Sequence, residues 1–150
     1  IHTMEDFETS IDLNIDAFIP DSYISNEFQK LDIYKRIAGI ETQQDYDDML
    51  EELLDRFGEP GKVVLNLLAI AKLKAIAHQG YVTEIGKSVR ITLYEKAKLN
   101  PEGIPVLMQK YRRGLQFKNE QEPKFILEPQ GNLILALTDF AQELKELAEE

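Results

Sequence analysis

The sequence contains no cysteine among its 150 residues. This absence excludes disulfide bonds, thiol nucleophiles and cysteine zinc sites. Long apolar runs are also missing: lysines interrupt VVLNLLAIAKLKAIA (63–77), and no run reaches the ~20 residues that span a bilayer. No charged start is followed by a hydrophobic stretch. We therefore expect a cytoplasmic protein with no membrane contact and no secretory signal.

The usual groups of catalytic sites are missing as well. GEPGK (58–62) lacks the spacing of a phosphate-binding loop and has no Ser or Thr after its lysine. No serine lies in a nucleophile elbow. We expect His2 in a frayed end and His78 in the last turn of a helix, where the dipole favours a cation. The chain is therefore predicted to be no enzyme and to hold no cofactor or metal. An enzyme with a carboxylate-only metal site is the alternative.

The charge of the chain is acidic and unevenly placed. The formal net charge is −10, and residues 1–80 contain 16 Asp and Glu against 7 Lys and Arg. This balance disfavours non-specific binding to nucleic-acid phosphates, and it favours a basic protein partner or simple solubility. Because the chain begins at Ile1, we expect it to be cut from a longer protein. Residues 1–8 are expected to be a disordered or artificially added stretch, and residues 9–150 a single domain.

An alternation of apolar and polar residues predicts the strands. Apolar residues at 11, 13, 15 and 17 predict a strand over 9–18, which Pro20 ends because proline cannot donate to a ladder. The same alternation on both sides of Gly86-Lys87 predicts a hairpin. GLQFKN and PKFILEP (114–119 and 123–129) predict a second antiparallel pair.

Apolar residues spaced three and four apart predict the helices. The first is expected to begin after Ser25 or Asn26, with Tyr23 and Ile24 packed against it. Its inward face is expected to contain Phe28, Leu31, Tyr34, Ile37 and Ala38. The predicted helices cover residues 26–39, 43–57, 61–79, 101–112 and 132–148.

The last of these segments has two interpretations. NLILAL (132–137) resembles a strand, with a helix beginning at Thr138, but the helical spacing runs through all of 132–148, and we prefer a single helix. The element order is then β-α-α-α-β-β-α-β-β-α. Tight turns between strands imply antiparallel pairing. The predicted fold class is therefore α+β, with helices packed on a small antiparallel sheet.

Acidic residues are concentrated on the predicted second helix, QDYDDMLEELLDRFG (44–58). Like charges three and four residues apart repel one another, and Arg56 is the one cation near enough in sequence to offset them. A solvated surface is one interpretation. The functional interpretation is a docking site for a basic surface. The carboxylates that share this face, which we call the acidic strip, are Asp47, Asp48, Glu51, Glu52 and Asp55.

A basic segment, QKYRRG (109–114), is the second interaction candidate. Lys110, Arg112 and Arg113 surround Tyr111, and such a pattern can contact nucleic acid. The cations also fall in the last turn of a predicted helix, where the dipole favours them, and Tyr111 is in phase with Leu107. We prefer helix-end chemistry and keep nucleic-acid contact as the alternative.

Four blocks in a fixed order resemble one known family: IPDSYI (19–24), IYKRIAGIE (33–41), ELLDRFGEP (52–60) and LLAIAKLKAIAHQG (67–80). They are similar to the C-terminal domain of the bacterial transcription-repair coupling factor (Mfd), a DNA translocase that removes stalled RNA polymerase. The match runs through residues 9–80, and beyond it only the element order agrees. The residues of the family motif are Pro20, Asp21, Tyr23, Ile24, Tyr34, Arg36, Asp55, Arg56 and Gly58.

The resemblance implies a regulatory role in transcription-coupled nucleotide excision repair. In this family the domain follows two motor lobes, to which ATP and Mg belong, and it has no motor motifs of its own. It packs on an N-terminal module similar to UvrB, masks the surface that binds UvrA, and holds the motor repressed until polymerase and DNA engage. The implied partner is therefore the UvrB-like module of the same chain, with UvrA and RNA polymerase as indirect partners. A DNA-contacting accessory domain that uses residues 110–113 is the alternative.

Overall fold

The structure, a computed structural model, describes residues 6–149, so the prediction for His2 lies outside the described residues. Helices and strands follow the predicted order, and the α+β fold class is confirmed. The helices are α1 (Glu27–Ala38), α2 (Gln43–Phe57), α3 (Lys62–Gln79), α4 (Gly103–Tyr111) and α5 (Leu133–Leu147). The strands are β1 (Ser10–Ile11), β2 (Val82–Gly86), β3 (Arg90–Leu93), β4 (Leu115–Lys118) and β5 (Lys124–Leu127). None of the described helices is long and apolar enough to cross a membrane.

The chain divides into two compact units. Ile15–Ala75 forms the helical unit, and, among the described residues, 6–14 together with 76–149 form the sheet unit. The boundary falls inside α3. Each unit has its own buried apolar residues, so each surface considered below has a core of its own beneath it.

The helical unit buries apolar side chains from α1, α2, α3 and the segments between them. Burial of one such side chain stabilises a fold by ~1.5–3 kcal/mol relative to exposure. Exposure of at most 4% marks the members of this core, which are Ile19, Ile24, Ile33, Ile37, Ile40, Met49, Leu53, Val64 and Leu68.

The predicted inward face of α1 is partly wrong. Ile37 is buried as predicted, but Phe28 is 85% exposed, Leu31 is 58% exposed and Ala38 is also exposed. Ile33, which was not assigned to that face, is completely buried. Apolar residues lie on more than one side of α1. The side with Ile33 and Ile37 faces the core shared with α2 and α3, and the side with Phe28 is left exposed to solvent.

The predicted strand over 9–18 is much shorter in the structure, because only Ser10–Ile11 pairs with a neighbouring strand. Beyond it the chain stays extended but bonds elsewhere. The Phe18 amide donates to the Val63 carbonyl at 3.3 Å, and the Ile19 amide donates to the Tyr34 hydroxyl at 2.8 Å. The alternation therefore marks a half-buried extended segment, which needs a partner strand to become part of a sheet.

The sheet is mixed rather than purely antiparallel. Its strand order is β1-β2-β3-β5-β4, and β1 pairs parallel to β2 while all other neighbours are antiparallel. Both predicted hairpin pairs are present. Phe125 of β5 meets Phe140 of α5 edge to face, with ring centroids 5.2 Å apart. Helix α5 thus packs on the sheet through an aromatic contact.

An asparagine side chain caps α5, and another forms the turn that precedes α4. Asn132 Oδ1 accepts from the Leu135 amide at 3.0 Å, so α5 starts at the predicted place and the strand alternative is wrong. Asn100 Oδ1 accepts from the Glu102 amide at 3.1 Å. Its carbonyl accepts from the Gly103 amide at 3.0 Å, so a turn precedes α4, which starts two residues later than predicted.

Candidate functional site

The orientation of α2 follows from its cap and its apolar residues. Thr42 and Asp45 form a capping box, in which Thr42 Oγ1 accepts from the Asp45 amide at 3.0 Å and Asp45 Oδ2 accepts from the Thr42 amide at 3.2 Å. Met49 and Leu53, four residues apart, are buried. These contacts fix the helix so that its opposite face, which carries most of the acidic strip, is exposed.

Most carboxylates of the acidic strip are not neutralised by a neighbouring cation. Gln43 Nε2 donates to Asp47 Oδ1 at 2.9 Å, and Gln44 Nε2 donates to Asp48 Oδ1 at 2.7 Å. Because an amide is neutral, these bonds orient the carboxylates and leave their charges uncompensated. The exposed members of the strip are Asp47, Asp48, Glu51 and Asp55. Glu51 and Asp55 form no ion pair with any of the described residues.

Glu52 differs from the rest of the strip. The guanidinium of Arg36, on α1, donates to both of its carboxylate oxygens, and Arg56 Nη1 donates to Oε2 at 2.7 Å. The hydrogen bonds from Arg36, followed by those from Arg56, lower the pKa of Glu52 to about 2. The prediction that Arg56 alone offsets the strip is therefore incomplete. Arg36 was missed as a partner because it lies 16 residues away in sequence and on another helix.

A shallow cleft of about 310 Å³ lies beside the strip. Arg36, Gly39 and Ile40 line one side of it, and Asp48 and Glu52 line the other. The cleft is lined by charged and apolar groups. Elsewhere among the described residues, no three His, Asp or Glu side chains come together in a way that could hold a metal ion. The carboxylates of the cleft make it suited to binding a cationic side chain.

Tyr23 of the family motif closes the carboxyl end of α2. Its hydroxyl donates to the Gly58 carbonyl at 2.7 Å and lies 3.3 Å from the Leu53 carbonyl oxygen, and its ring packs on Phe57 with centroids 5.9 Å apart. The expectation that Tyr23 and Ile24 pack with the first helix agrees with the structure, because Tyr23 lies against the core that contains Ile33 and Ile37, and Ile24 is buried in that core. Tyr23 satisfies carbonyls that the helix end leaves open.

Other motif residues shape the entry to α1. The Pro20 carbonyl accepts from the amides of Tyr23 at 2.9 Å and Ile24 at 3.1 Å, which makes a turn. The Asp21 carboxylate pairs with Lys30 of α1. The Tyr34 hydroxyl also bonds to the Ile19 amide, and Gly58 has a left-handed φ of 84°. These motif residues therefore stabilise the fold of the helical unit.

The basic segment at 109–114 is only partly free. The Lys110 ammonium pairs with Glu143 of α5, and Tyr111 meets Phe140 edge to face at 5.5 Å. Arg112 and Arg113 are exposed in a 3₁₀ turn after α4. The segment therefore does not present a row of free cations around an exposed aromatic ring.

His78 lies in the last turn of α3, as predicted. Its Nδ1 is 2.9 Å from Thr9 Oγ1, and that hydroxyl donates to the Val82 carbonyl at 2.6 Å. Because the hydroxyl proton goes to the carbonyl, Nδ1 carries the proton that His78 shares with Thr9. The ring also packs on Phe7, at 4.4 Å between centroids. These contacts give His78 a packing and hydrogen-bonding environment.

Comparison with known proteins agrees with the resemblance found in the sequence. The sequence profile of the TRCF domain matches residues 13–104. A transcription-repair-coupling factor of Bacillus subtilis (strain 168) is 38% identical over 102 residues, which cover 66% of this chain and 9% of that protein. One from Staphylococcus haemolyticus (strain JCSC1435) is 34% identical over 114 residues, covering 74% of this chain and 10% of that protein. The chain thus spans about a tenth of the length of these relatives.

The fold has a solved counterpart as well. A crystal structure of the C-terminal domain of a transcription-repair coupling factor superposes with a TM-score of 0.74 at 29% identity, covering 95% of this chain and 94% of that one. The matched profile, the relatives and this structure agree with one another and with the motif residues in the helical unit. The chain belongs to the TRCF domain family, as the C-terminal domain of a transcription-repair coupling factor.

Proposed function

We propose that this chain is a non-catalytic regulatory domain that docks, through the acidic strip of α2, on a basic surface of an N-terminal UvrB-like module in the same parent protein. In that position it masks the surface that binds UvrA and holds an ATP-dependent DNA translocase in a repressed state. The supporting observation is the strip itself: Asp47, Asp48, Glu51 and Asp55 are exposed, and no cation among the described residues pairs with them.

The proposed docking is a tethered, reversible interaction. Exposed charge pairs contribute only ~0.2–1 kcal/mol each, so the strip alone binds weakly. Attachment to the same chain raises the effective concentration of the partner to the millimolar range, which makes a weak interface sufficient. The engagement of polymerase and DNA then releases the domain by competing for a small binding free energy.

Glu52 has a different part in this proposal. Its carboxylate is already held by Arg36 and Arg56, so it contributes little attraction to a partner. Instead it joins α1 to α2 and keeps the cleft beside Asp48 in shape. We therefore assign docking to the exposed carboxylates and positioning to Glu52.

The alternative, a DNA-contacting accessory domain, has less support. Lys110 is paired with Glu143, and the net charge of the chain is −10. Phosphate binding needs free cations that release counterions. Arg112 and Arg113 remain exposed, and binding of duplex DNA that falls with salt and is lost in an Arg112→Ala, Arg113→Ala variant would favour this alternative.

The docking proposal is tested with the N-terminal UvrB-like region of the parent protein as the ligand. The variant Asp48→Asn, Glu51→Gln, Asp55→Asn is expected to weaken its binding roughly tenfold, since three exposed pairs are lost. The matched control, Glu102→Gln, Glu122→Gln, Glu128→Gln, removes the same charge from exposed positions of the sheet unit. Equal loss of affinity in the two variants, or no loss in the first, contradicts docking through the strip.

The regulatory part is tested in the full-length parent protein. Deletion of residues 9–150 is expected to raise both its ATPase activity and its affinity for UvrA, because the domain proposed to cover the UvrA-binding surface and to repress the motor is removed. An unchanged ATPase rate and unchanged UvrA affinity would contradict the regulatory role, whatever the result with the isolated domain.

A further inference from the structure

A groove with an apolar floor runs between α4 and α5 in the sheet unit. Its volume is about 750 Å³, and Val106, Leu107 and Leu147 supply the apolar lining. Val106 is 67% exposed, which is unusual for a branched apolar residue beside a concave surface. The groove is distinct from the acidic strip, which lies in the helical unit.

Two contacts define the course of this groove. At one end α4 and α5 approach closely at Gly103, where a Cβ would lie 2.1 Å from Leu147 Cδ2. At the other end Tyr111 meets Phe140 edge to face. The first residue of α4 is thus near the end of α5, and the last residue of α4 is near its middle. The two helices are antiparallel, and the groove follows their seam for the nine residues of α4.

The lining residues are spaced along the seam as a third helix would require. On α4 they recur at Gly103, Val106 and Lys110, and on α5 at Asp139, Glu143 and Glu146. Positions three and four residues apart form one ridge of a helix surface, and a groove between two such ridges accepts the ridge of another helix. Nine residues of α4 extend for ~13 Å at 1.5 Å per residue, which suits a partner helix of about two and a half turns.

The charge of the groove selects the kind of helix that fits. Three carboxylates, those of Asp139, Glu143 and Glu146, face one ammonium, that of Lys110. Lys110 pairs with Oε1 of Glu143, and the Tyr111 hydroxyl also interacts with the carboxylate of Glu143. Burial, followed by the charge of Glu143, raises the pKa of Tyr111 to about 12, so its phenol stays neutral and adds no positive charge. The rim therefore attracts cations, while the floor attracts apolar side chains.

We propose that the groove between α4 and α5 binds a short amphipathic helix of a protein partner, with lysine or arginine residues flanking its apolar face. The apolar face covers Val106 and Leu107, and the flanking cations meet Asp139 and Glu146. This binding is independent of docking through the acidic strip, because it uses other residues in the other unit. Its partner differs in kind as well, since it needs an apolar face in addition to positive charge.

The test uses the 150-residue chain and a synthetic peptide of about 18 residues, long enough to form a helix. The peptide carries leucines at i, i+3, i+4 and i+7, lysines only at the positions that flank this apolar face, and alanines elsewhere. A second peptide of the same design has glutamate in place of every lysine. We expect the lysine peptide to bind and to shift the backbone amide resonances of α4 and α5, and the glutamate peptide not to bind.

Two matched substitutions decide where the peptide binds. Val106→Asp is expected to weaken binding roughly tenfold or more, because a charge replaces an apolar contact. Leu135→Asp is the control, since Leu135 is 64% exposed on α5 but does not line the groove. Both residues are largely exposed, so both variants should fold, which circular dichroism verifies. Equal affinities of the two variants for the peptide would overturn the proposal.

A second pair of variants separates the groove from general attraction between opposite charges. Glu146→Lys is expected to weaken binding several-fold more than Glu122→Lys, which changes an exposed residue outside the groove. Resonance shifts confined to α2 would show that the peptide binds the acidic strip, and would overturn the proposal. Self-association of the chain that Val106→Asp abolishes would also overturn it, since the groove would then hold a second copy.

Discussion

The acidic strip of the helical unit and the groove of the sheet unit are built in opposite ways. The strip lies on one helix, α2, whose residues Met49 and Leu53 are buried. The face of α2 that carries the strip therefore exposes mainly charged groups to solvent. The groove lies between two helices and leaves Val106 largely exposed, with charge along its rim. The strip thus presents mainly charge to solvent, whereas the groove combines a larger concave surface with apolar side chains and a partly charged rim.

This difference separates two kinds of recognition in one small chain. Exposed charges act over roughly a Debye length, ~8 Å at physiological salt, and they speed encounter and respond to salt. Apolar contact acts only at short range and fixes which segment binds and in what register. A surface of the first kind suits an interaction that must be released, and a surface of the second kind suits an interaction that must be selective.

The strip depends on the core beneath it, so a cavity there is expected to have the largest effect. Leu53 is completely buried on α2, and Leu53→Ala should lower the free energy of unfolding by ~2–5 kcal/mol. Leu31→Ala removes the same atoms from a side chain that is 58% exposed, and its cost should stay within ~0.5 kcal/mol. Urea denaturation measures both. Similar costs for the two leucines would contradict the orientation of α1 described above.

The groove depends on the close approach of α5 to the end of α3, and disturbing that approach should have the next largest effect. At Gly80 a Cβ would lie 2.8 Å from Leu144 Cβ and 3.0 Å from the Lys145 amide nitrogen, neither of which is a flexible tip. Gly80→Ala is therefore expected to cost ~1–3 kcal/mol. Gly61→Ala, in the helical unit, meets nothing within 4 Å and should be neutral within ~0.5 kcal/mol. Thermal unfolding compares the two, and a neutral Gly80→Ala would show that α5 is free to shift.

The smallest effect concerns the ion pairs of Glu52 and depends on pH. Its folded pKa of about 2 lies below its usual value of 4.5, so its contribution is present above pH 4.5 and is lost as the pH falls toward 2. With solvent screening, Glu52→Gln should cost at most ~1 kcal/mol at neutral pH, and the difference from the unsubstituted chain should vanish near pH 2. Glu51→Gln, without an ion pair among the described residues, is the control. Denaturant titrations at several pH values measure this, and a pH-independent difference would contradict the pairing.

Much of the fold was predictable because local signals agreed with one another. The capping box of Thr42 and Asp45 and the buried pair Met49 and Leu53 all belong to one helix, and α2 has the predicted bounds. Asn132 likewise fixed the start of α5. The first helix was predicted less well, since Phe28 and Leu31 share the spacing of buried residues but are exposed. Spacing shows which residues share a face but not which face another element covers.

The candidate site was predictable in its charges but not in its contacts. The spacing of Asp48, Glu51 and Asp55 places them together on any straight helix, and they are exposed as the docking hypothesis requires. The pairing of Glu52 with Arg36 could not be predicted, because it joins two helices whose packing the sequence pattern does not specify. The motif did contain a signal for it: Arg36 and Arg56 are both motif residues, and both bond to Glu52.

By itself the sequence determined the order of elements, the caps of α2 and α5, the acidic face of α2 and the family of the chain, because each of these depends on residues close together along the chain. Only the tertiary structure decided that β1 pairs parallel to β2, that Tyr23 closes the end of α2, and that α4 and α5 leave Val106 exposed in a groove. Those features depend on which elements meet. Elements meet where the burial of apolar surface outweighs the loss of chain entropy, and that balance is summed over the whole chain rather than read from any one segment of it.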